Sequence, residues 1–168
     1  MPRKLPFWRR KRLDQMTPSE WESLCDGCGK CCLYRLEDED TGALEQTNVA
    51  CKLLNCATGQ CSNYPKRKKL VPDCIQLTPG KVQKMNWLPA TCGYRLVAAG
   101  KDLYWWHHLK SGSRDTVHQA GVSVAGRCIS EKDAGELDEH VVYWLDDPGP
   151  PRPDKKSKPN KKSGPKTR

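Results

Sequence analysis

The stretch "CDGCGKCC", residues 25–32, puts four cysteines into eight positions: Cys25, Cys28, Cys31 and Cys32. Such crowding fits a disulfide framework, a redox dithiol, a metal site or chance packing. The rest of the chain separates these readings. The N-terminus, "MPRKLPFWRRKRLDQM", is basic, but neither an apolar run nor a small-residue cleavage site follows, so it does not read as a secretory signal. No stretch approaches the roughly 20 apolar residues of a transmembrane helix. The expected location is therefore cytoplasmic, with no membrane partner. Thiols there stay reduced, which favours metal or redox chemistry over disulfides.

Composition points the same way. Leu, Ile, Val and Phe make up 28 of 168 residues, below the roughly 20% at which disorder competes with folding. Six Trp and five Tyr compensate, since each aromatic buries much area. A core this thin is expected to need a covalent or metallic staple. The net charge of +9 is uneven: residues 1–12 carry +6 and 152–168 carry +7, which leaves −4 for 13–151. A basic isoelectric point is thus no evidence that the body binds nucleic acid. Contact through the basic tails is a disfavoured alternative, because such attraction is non-specific and salt-sensitive.

The chain divides into a loose basic leader (1–16) that Phe7 and Trp8 could pin, a body (17–147) and a disordered basic tail (148–168) rich in Pro, Lys, Ser and Gly. "TPSEWESLC" carries a capping box, Thr17 with Glu20, and Pro18 in the first turn, so a short helix should deliver Cys25. "LYRLE" and "ALEQTNV" around "DEDTG" predict a β-hairpin. Thr78-Pro79 should open a helix reaching about Met85. Cys92 should head another, stopped by Gly100. "GVSVAGRCIS" reads as a strand and "EHVVYWL" as a last short element. The fold class is α+β: a small single domain of short helices and a hairpin organised around a cysteine-rich metal site.

In C-x2-C, two thiolates reach one metal ion, as in tetrathiolate zinc and iron–sulfur sites. The step repeats through Cys25, Cys28 and Cys31. It then gives Cys32-Leu33 rather than the x3-C-P of bacterial ferredoxins. Further ligands must come from elsewhere, and Cys51, Cys61, Cys74 and Cys92 are the remote candidates. Adjacent Cys31 and Cys32 must diverge: either one packs while the other ligates, or each serves a different ion. Eight cysteines would fill two sites of four. "WWHHL" invites a site reading for His107 and His108, but Trp105 and Trp106 can equally be core with the histidines at its rim. No phosphate-cradling loop, nucleophile elbow or HExxH motif is present.

"WESLCDGCGKCCLYRLEDEDTG", "TNVACKLLN", "LVPDCIQLTP", "WLPATCGYRL", "GKDL" and "VSVAGR" together resemble the bacterial cysteine-cluster proteins marked by CxxCxxCC, in their YcgN-like branch. That family is described as zinc- or iron-chelating, so the resemblance implies a metal and names no reaction. It places Cys25, Cys28, Cys31, Cys32, Cys51, Cys61, Cys74 and Cys92 where relatives have cysteine. Relatives usually carry C-x-C ending at the position of Cys61. Here Gly59 stands in place of the first of that pair, and a cysteine comes earlier, as Cys56. Cys128, aliphatic in most relatives, reads as a buried apolar thiol.

The expected function is a cytosolic metal-binding protein holding zinc or an iron–sulfur cluster. One alternative is an iron–sulfur redox or group-transfer enzyme, motivated by more cysteines than one site needs. Another is a zinc-stabilised nucleic-acid or partner-binding module, weakened by the absence of finger spacing with paired histidines.

Overall fold

The computed structural model describes residues 3–153; the expected disordered tail falls mostly on 154–168, outside the described residues. Helix α1 (Phe7–Arg10) and a 3-10 turn (Leu13–Gln15) form the leader, and α2 (Pro18–Ser23) follows. The leader is pinned at Phe7 and Trp8, as the sequence allows. Phe7, Trp8, Leu13 and Met16 pack against a core of Leu24, Val82, Tyr94, Val97 and Leu103. Asp102 anchors it from outside, accepting the Trp8 indole N–H at 3.0 Å and pairing with Arg9 at 3.3 Å. Helix α2 starts as the sequence predicts. The Glu20 N–H donates to Thr17 Oγ1 at 3.1 Å, and the Thr17 N–H donates back to the Glu20 carboxylate at 3.0 Å.

Strands β1 (Leu33–Glu37) and β2 (Leu44–Ala50) form the predicted antiparallel hairpin. The side chain of Asp38 closes its turn, accepting the N–H groups of Asp40 and Thr41. The small strands β3 (Leu54–Asn55) and β4 (Gln60–Cys61) pair with each other. Helices α3 (Arg67–Leu70), α4 (Pro79–Val82), α5 (Gly93–Ala98), α6 (His108–Ser111) and α7 (Thr116–Gln119) follow. Strand β5 (Ile129–Ser130) and helix α8 (Glu131–Ala134) come last. Strand β5 pairs parallel to β2, which makes β2 the middle of a three-stranded sheet.

Three sequence expectations shorten. Helix α4 ends at Val82, its only buried residue, and Lys84 and Met85 close i→i+3 turns instead. The segment 121–128 spends its backbone on turns and on the cysteine loops: the N–H of Val122 bonds the Val117 carbonyl and that of Arg127 bonds Val124, whereas those of Val124 and Gly126 reach the carbonyls of Cys28 and Cys56, so only Ile129 and Ser130 remain strand. "EHVVYWL" contributes the end of a 3-10 turn (Leu137–His140) and a single bridge between Thr47 and Val141.

The thin apolar complement is split among three small clusters rather than one core. The second holds Cys28, Trp106, Val117, Ala120 and Val122; the third holds Leu33, Ala50, Leu54, Val124 and Leu145. The cysteine loop threads all three, through Leu24, Cys28 and Leu33. The indoles of Trp105 and Trp106 donate to the carbonyls of Pro150 and Pro148, both at 2.9 Å, and so tie residues 148–150, the start of the segment expected to be disordered, to the second cluster. Among the described residues, no helix is long and apolar enough to cross a membrane.

Candidate metal centre

Cys25, Cys28, Cys31, Cys32, Cys51, Cys61, Cys74 and Cys92 line one cavity of about 1000 Å³. Local backbone structure brings each of them there. Helix α2 ends one residue before Cys25, at its C-cap Leu24. Leu24 O, buried, accepts from His107 Nε2 at 2.9 Å, and Ser23 O accepts from His108 Nε2 at 2.6 Å. Cys92 is the N-cap of α5, and its side chain makes no capping bond. Gly93 follows it because nothing larger fits: a Cβ there would stand 2.1 Å from Leu24 O and 3.1 Å from His107 Nε2. This close approach sets Cys92 beside Cys25, 67 positions earlier in the chain.

Within the loop, Gly29 adopts φ +75° with the Gly59 carbonyl against it, where a Cβ would meet that oxygen at 2.8 Å. Cys51 donates its N–H to the Cys32 carbonyl at 2.9 Å, Leu54 donates to Cys51 at 2.8 Å, and Leu54 pairs with Cys61 across β3–β4. One continuous set of backbone bonds therefore joins Cys32, Cys51 and Cys61. Cys74 closes a turn on the Val71 carbonyl, and its own carbonyl accepts from Lys68 at 2.6 Å.

Cys25 and Cys31 keep exposed surface at the cavity mouth, yet the walls around them solvate a thiolate poorly. Burial first, then the charge of Asp26 and the neighbouring Cys31, push the Cys25 thiol up to about 12. Burial and Asp26 push Cys92 up to about 12 as well. Cys28 rises well above its ordinary value for the same two reasons, and Cys31 rises through its hydrogen bond with Cys32 and through burial. These groups are neutral thiols at pH 7 in the metal-free chain, so a binding cation displaces their protons.

Cys56 and Cys128 are absent from the cavity wall. They pack together against the third cluster, where burial and Cys56 push Cys128 up to about 12. Gly59, not Cys56, reaches the wall. The histidines fill backbone roles. His107 is 1% exposed, and its Nδ1 accepts the Leu109 N–H at 3.1 Å, so Nε2 carries the proton it gives to Leu24. Burial lowers the pKa of both His107 and His108, which keeps them neutral.

Two charged residues inside the motif carry structural weight that spacing alone did not signal. Lys30, 1% exposed, donates to Thr91 Oγ1 at 2.9 Å and to the Leu145 carbonyl at 2.6 Å, stitching the loop to the residue before Cys92. Asp26 is buried beside the thiols, with Oδ1 accepting the Cys28 N–H at 3.0 Å. Charged residues between cysteines ordinarily read as solvated, and no periodicity marks these two. Arg35, Arg67 and Arg114 also line the cavity, the first two stacked on Trp87 and Tyr64 and the third donating to the Cys25 carbonyl. Their positive charge would offset that of thiolates formed when a metal binds.

The donor set fits a thiophilic metal: soft sulfur ligands select zinc, copper(I) or iron–sulfur clusters. Among the described residues no three His, Cys, Asp or Glu donors close into a ready-formed site; the sulfurs stand around the cavity walls. Residues 24–93 match the CxxCxxCC family model, described as "Putative zinc- or iron-chelating domain". The chain is 58% identical over 143 residues to a UPF0260 protein of Mesorhizobium japonicum, covering 84% of this chain and 97% of that one. A UPF0260 protein of Pseudomonas entomophila is 59% identical over 140 residues (82% and 94%), and one of Brucella melitensis biotype 2 is 65% identical over 141 (83% and 93%). No solved structure matches the chain.

Proposed function

We propose that this chain, which belongs to the UPF0260 family and carries its CxxCxxCC domain, holds a polynuclear metal centre on eight cysteines. Cys25, Cys28, Cys31, Cys32, Cys51, Cys61, Cys74 and Cys92 are the ligands in this reading. The observation that carries it is the division of the ten cysteines: these eight line one cavity, and Cys56 and Cys128 do not. A single tetrathiolate zinc, with Zn–S of about 2.3 Å, draws four sulfurs to about 3.8 Å of one another and leaves no room inside. A cavity of about 1000 Å³ with eight thiols suits two centres of four thiolates each, as zinc ions or as iron–sulfur clusters. When bound, such a centre supplies fold stabilisation and, if it contains iron, electron transfer. Residues 17–147 form the unit around it, with the leader docked upon it.

The exposure of Cys25 and Cys31 favours a second reading, in which a small molecule reaches an iron–sulfur centre for redox or group-transfer chemistry. A structural site is closed, whereas a catalytic one keeps an open position. The test is anaerobic purification without chelator, followed by metal and sulfide analysis and an absorption spectrum. Two zinc per chain without sulfide supports a stabilising role. Iron with matching sulfide and a potential-dependent spectrum supports the redox reading. A chain free of both refutes the metal centre.

A further inference from the structure

We propose that Asp26 is an oxygen ligand of the metal centre, reaching it from the buried side of the cavity. The inference rests on the reading of that cavity as a metal centre and names a donor that the cysteine spacing does not; in a four-coordinate site it takes the place of one of the eight thiolates. Asp26 is 4% exposed and lines the cavity with the eight thiols. One oxygen, Oδ1, accepts the Cys28 N–H at 3.0 Å. The other, Oδ2, is buried and meets no N–H or O–H donor; the one proton donor beside the carboxylate is the Cys28 thiol, whose proton leaves when its sulfur binds a metal.

Among the described residues, one other buried side-chain oxygen lacks a partner, the neutral amide oxygen of Asn48; its residue does not line the cavity. A neutral amide oxygen tolerates this far better than a carboxylate. A buried charge without a partner is among the costliest features a fold can carry, and buried charges are accordingly paired or bound to metal. No cation on the protein pairs with Asp26 among the described residues. Lys30, four positions on, gives its hydrogen bonds to Thr91 and Leu145 instead. Arg114 donates to the Cys25 carbonyl. Both ring nitrogens of His107 are taken by Leu24 and Leu109. The missing partner of Oδ2 is a cation that arrives from outside, in a cavity whose other donors are sulfur.

Carboxylate oxygen binds zinc and iron alongside thiolate, at about 2.0–2.2 Å for zinc. It makes the donor set harder than an all-thiolate one. The Cys28 N–H holding Oδ1 fixes the carboxylate's orientation, as partners of ligating carboxylates do.

The test uses the full chain, stripped of metal and loaded with Co²⁺, as wild type and as Asp26→Asn. The amide keeps the size of the side chain and an oxygen for the Cys28 N–H, but not the charge. X-ray absorption at cobalt counts sulfur and oxygen scatterers, and competition with a chelator gives the affinity. The expected result in the wild type is sulfur plus oxygen amounting to one Asp26 oxygen per chain, averaged over the bound cobalt ions. Asp26→Asn then loses the oxygen and weakens binding by about 10- to 100-fold. An all-sulfur wild-type shell, or an oxygen that survives in Asp26→Asn with unchanged affinity, overturns the role of Asp26 and leaves the thiolate centre standing. A wild-type shell without sulfur overturns both. The wild-type spectrum decides the question even if the variant does not fold.

Discussion

Gly93→Ala probes the contact on which the geometry of the cavity depends. The new methyl would stand 2.1 Å from Leu24 O and 3.3 Å from His107 Cδ2, where an ordinary carbon–oxygen contact needs more than 3 Å. Neither neighbour yields easily. Leu24 is fully buried, and its carbonyl holds His107, itself buried. Overpacking of this kind costs about 1–3 kcal/mol, and losing the His107–Leu24 hydrogen bond adds about 0.5–1.5 kcal/mol. The expected destabilisation is about 2–4 kcal/mol, read from urea melts of the metal-loaded protein. Metal affinity should fall with it, because α5 must move outward and carry Cys92 away from Cys25. Gly80→Ala is the control: nothing lies within 4 Å of a Cβ there, so the variant should be neutral or slightly more stable. If Gly93→Ala melts with the wild type and keeps its metal, the Leu24–Gly93 contact does not set the site.

Three further outcomes follow from the same geometry. Burial depresses the pKa of His107 and His108, so the unfolded chain takes up their protons first. Their contribution is complete above the ordinary value of about 6.5 and is lost as pH falls below it, by at most about 1.4 kcal/mol per pH unit for each. Urea midpoints between pH 7.5 and 6, with the metal's absorbance still intact, should show this slope, and His107→Gln should flatten it. Asp102 is held at about 2: desolvation raises it, but the hydrogen bonds from Trp8 and Lys110 outweigh that. Its contribution is therefore present above about 4 and disappears as pH falls towards 2. Asp102→Asn should cost about 1 kcal/mol, as exposed ion pairs do, and should release the leader to protease at Arg9 or Arg10. Cys56→Ser and Cys128→Ser should leave metal content unchanged, whereas Cys61→Ser and Cys92→Ser should lower it; equal loss from all four would refute the division of the cysteines.

Much of the local structure was legible because its causes are local. The capping box of Thr17 and Glu20, the hairpin around Asp38 and the N-cap at Cys92 each need only neighbours within a few residues. Helix α4 and the segment 121–128 were misjudged in length, because what stops them is the amount of core available to bury them. Phe7 and Trp8 mark the leader as one that could be pinned, but the partners that pin it, Tyr94, Val97 and Asp102, lie far along the chain and no local pattern names them.

By itself the sequence marked a cysteine cluster with metal-ligand spacing and named the thiols that are candidates for it. A C-x2-C step is a short-range geometric constraint and survives without any knowledge of the fold. What only the tertiary structure decided is which thiols share a cavity and what surrounds them. Eight thiols share a cavity and two do not, His107 and His108 hold backbone rather than metal, and Asp26 is buried with one oxygen free. Burial and long-range contact arise only when three small apolar clusters close around the loop. A carboxylate's lack of partners is a property of everything packed against it, which no spacing along the chain records.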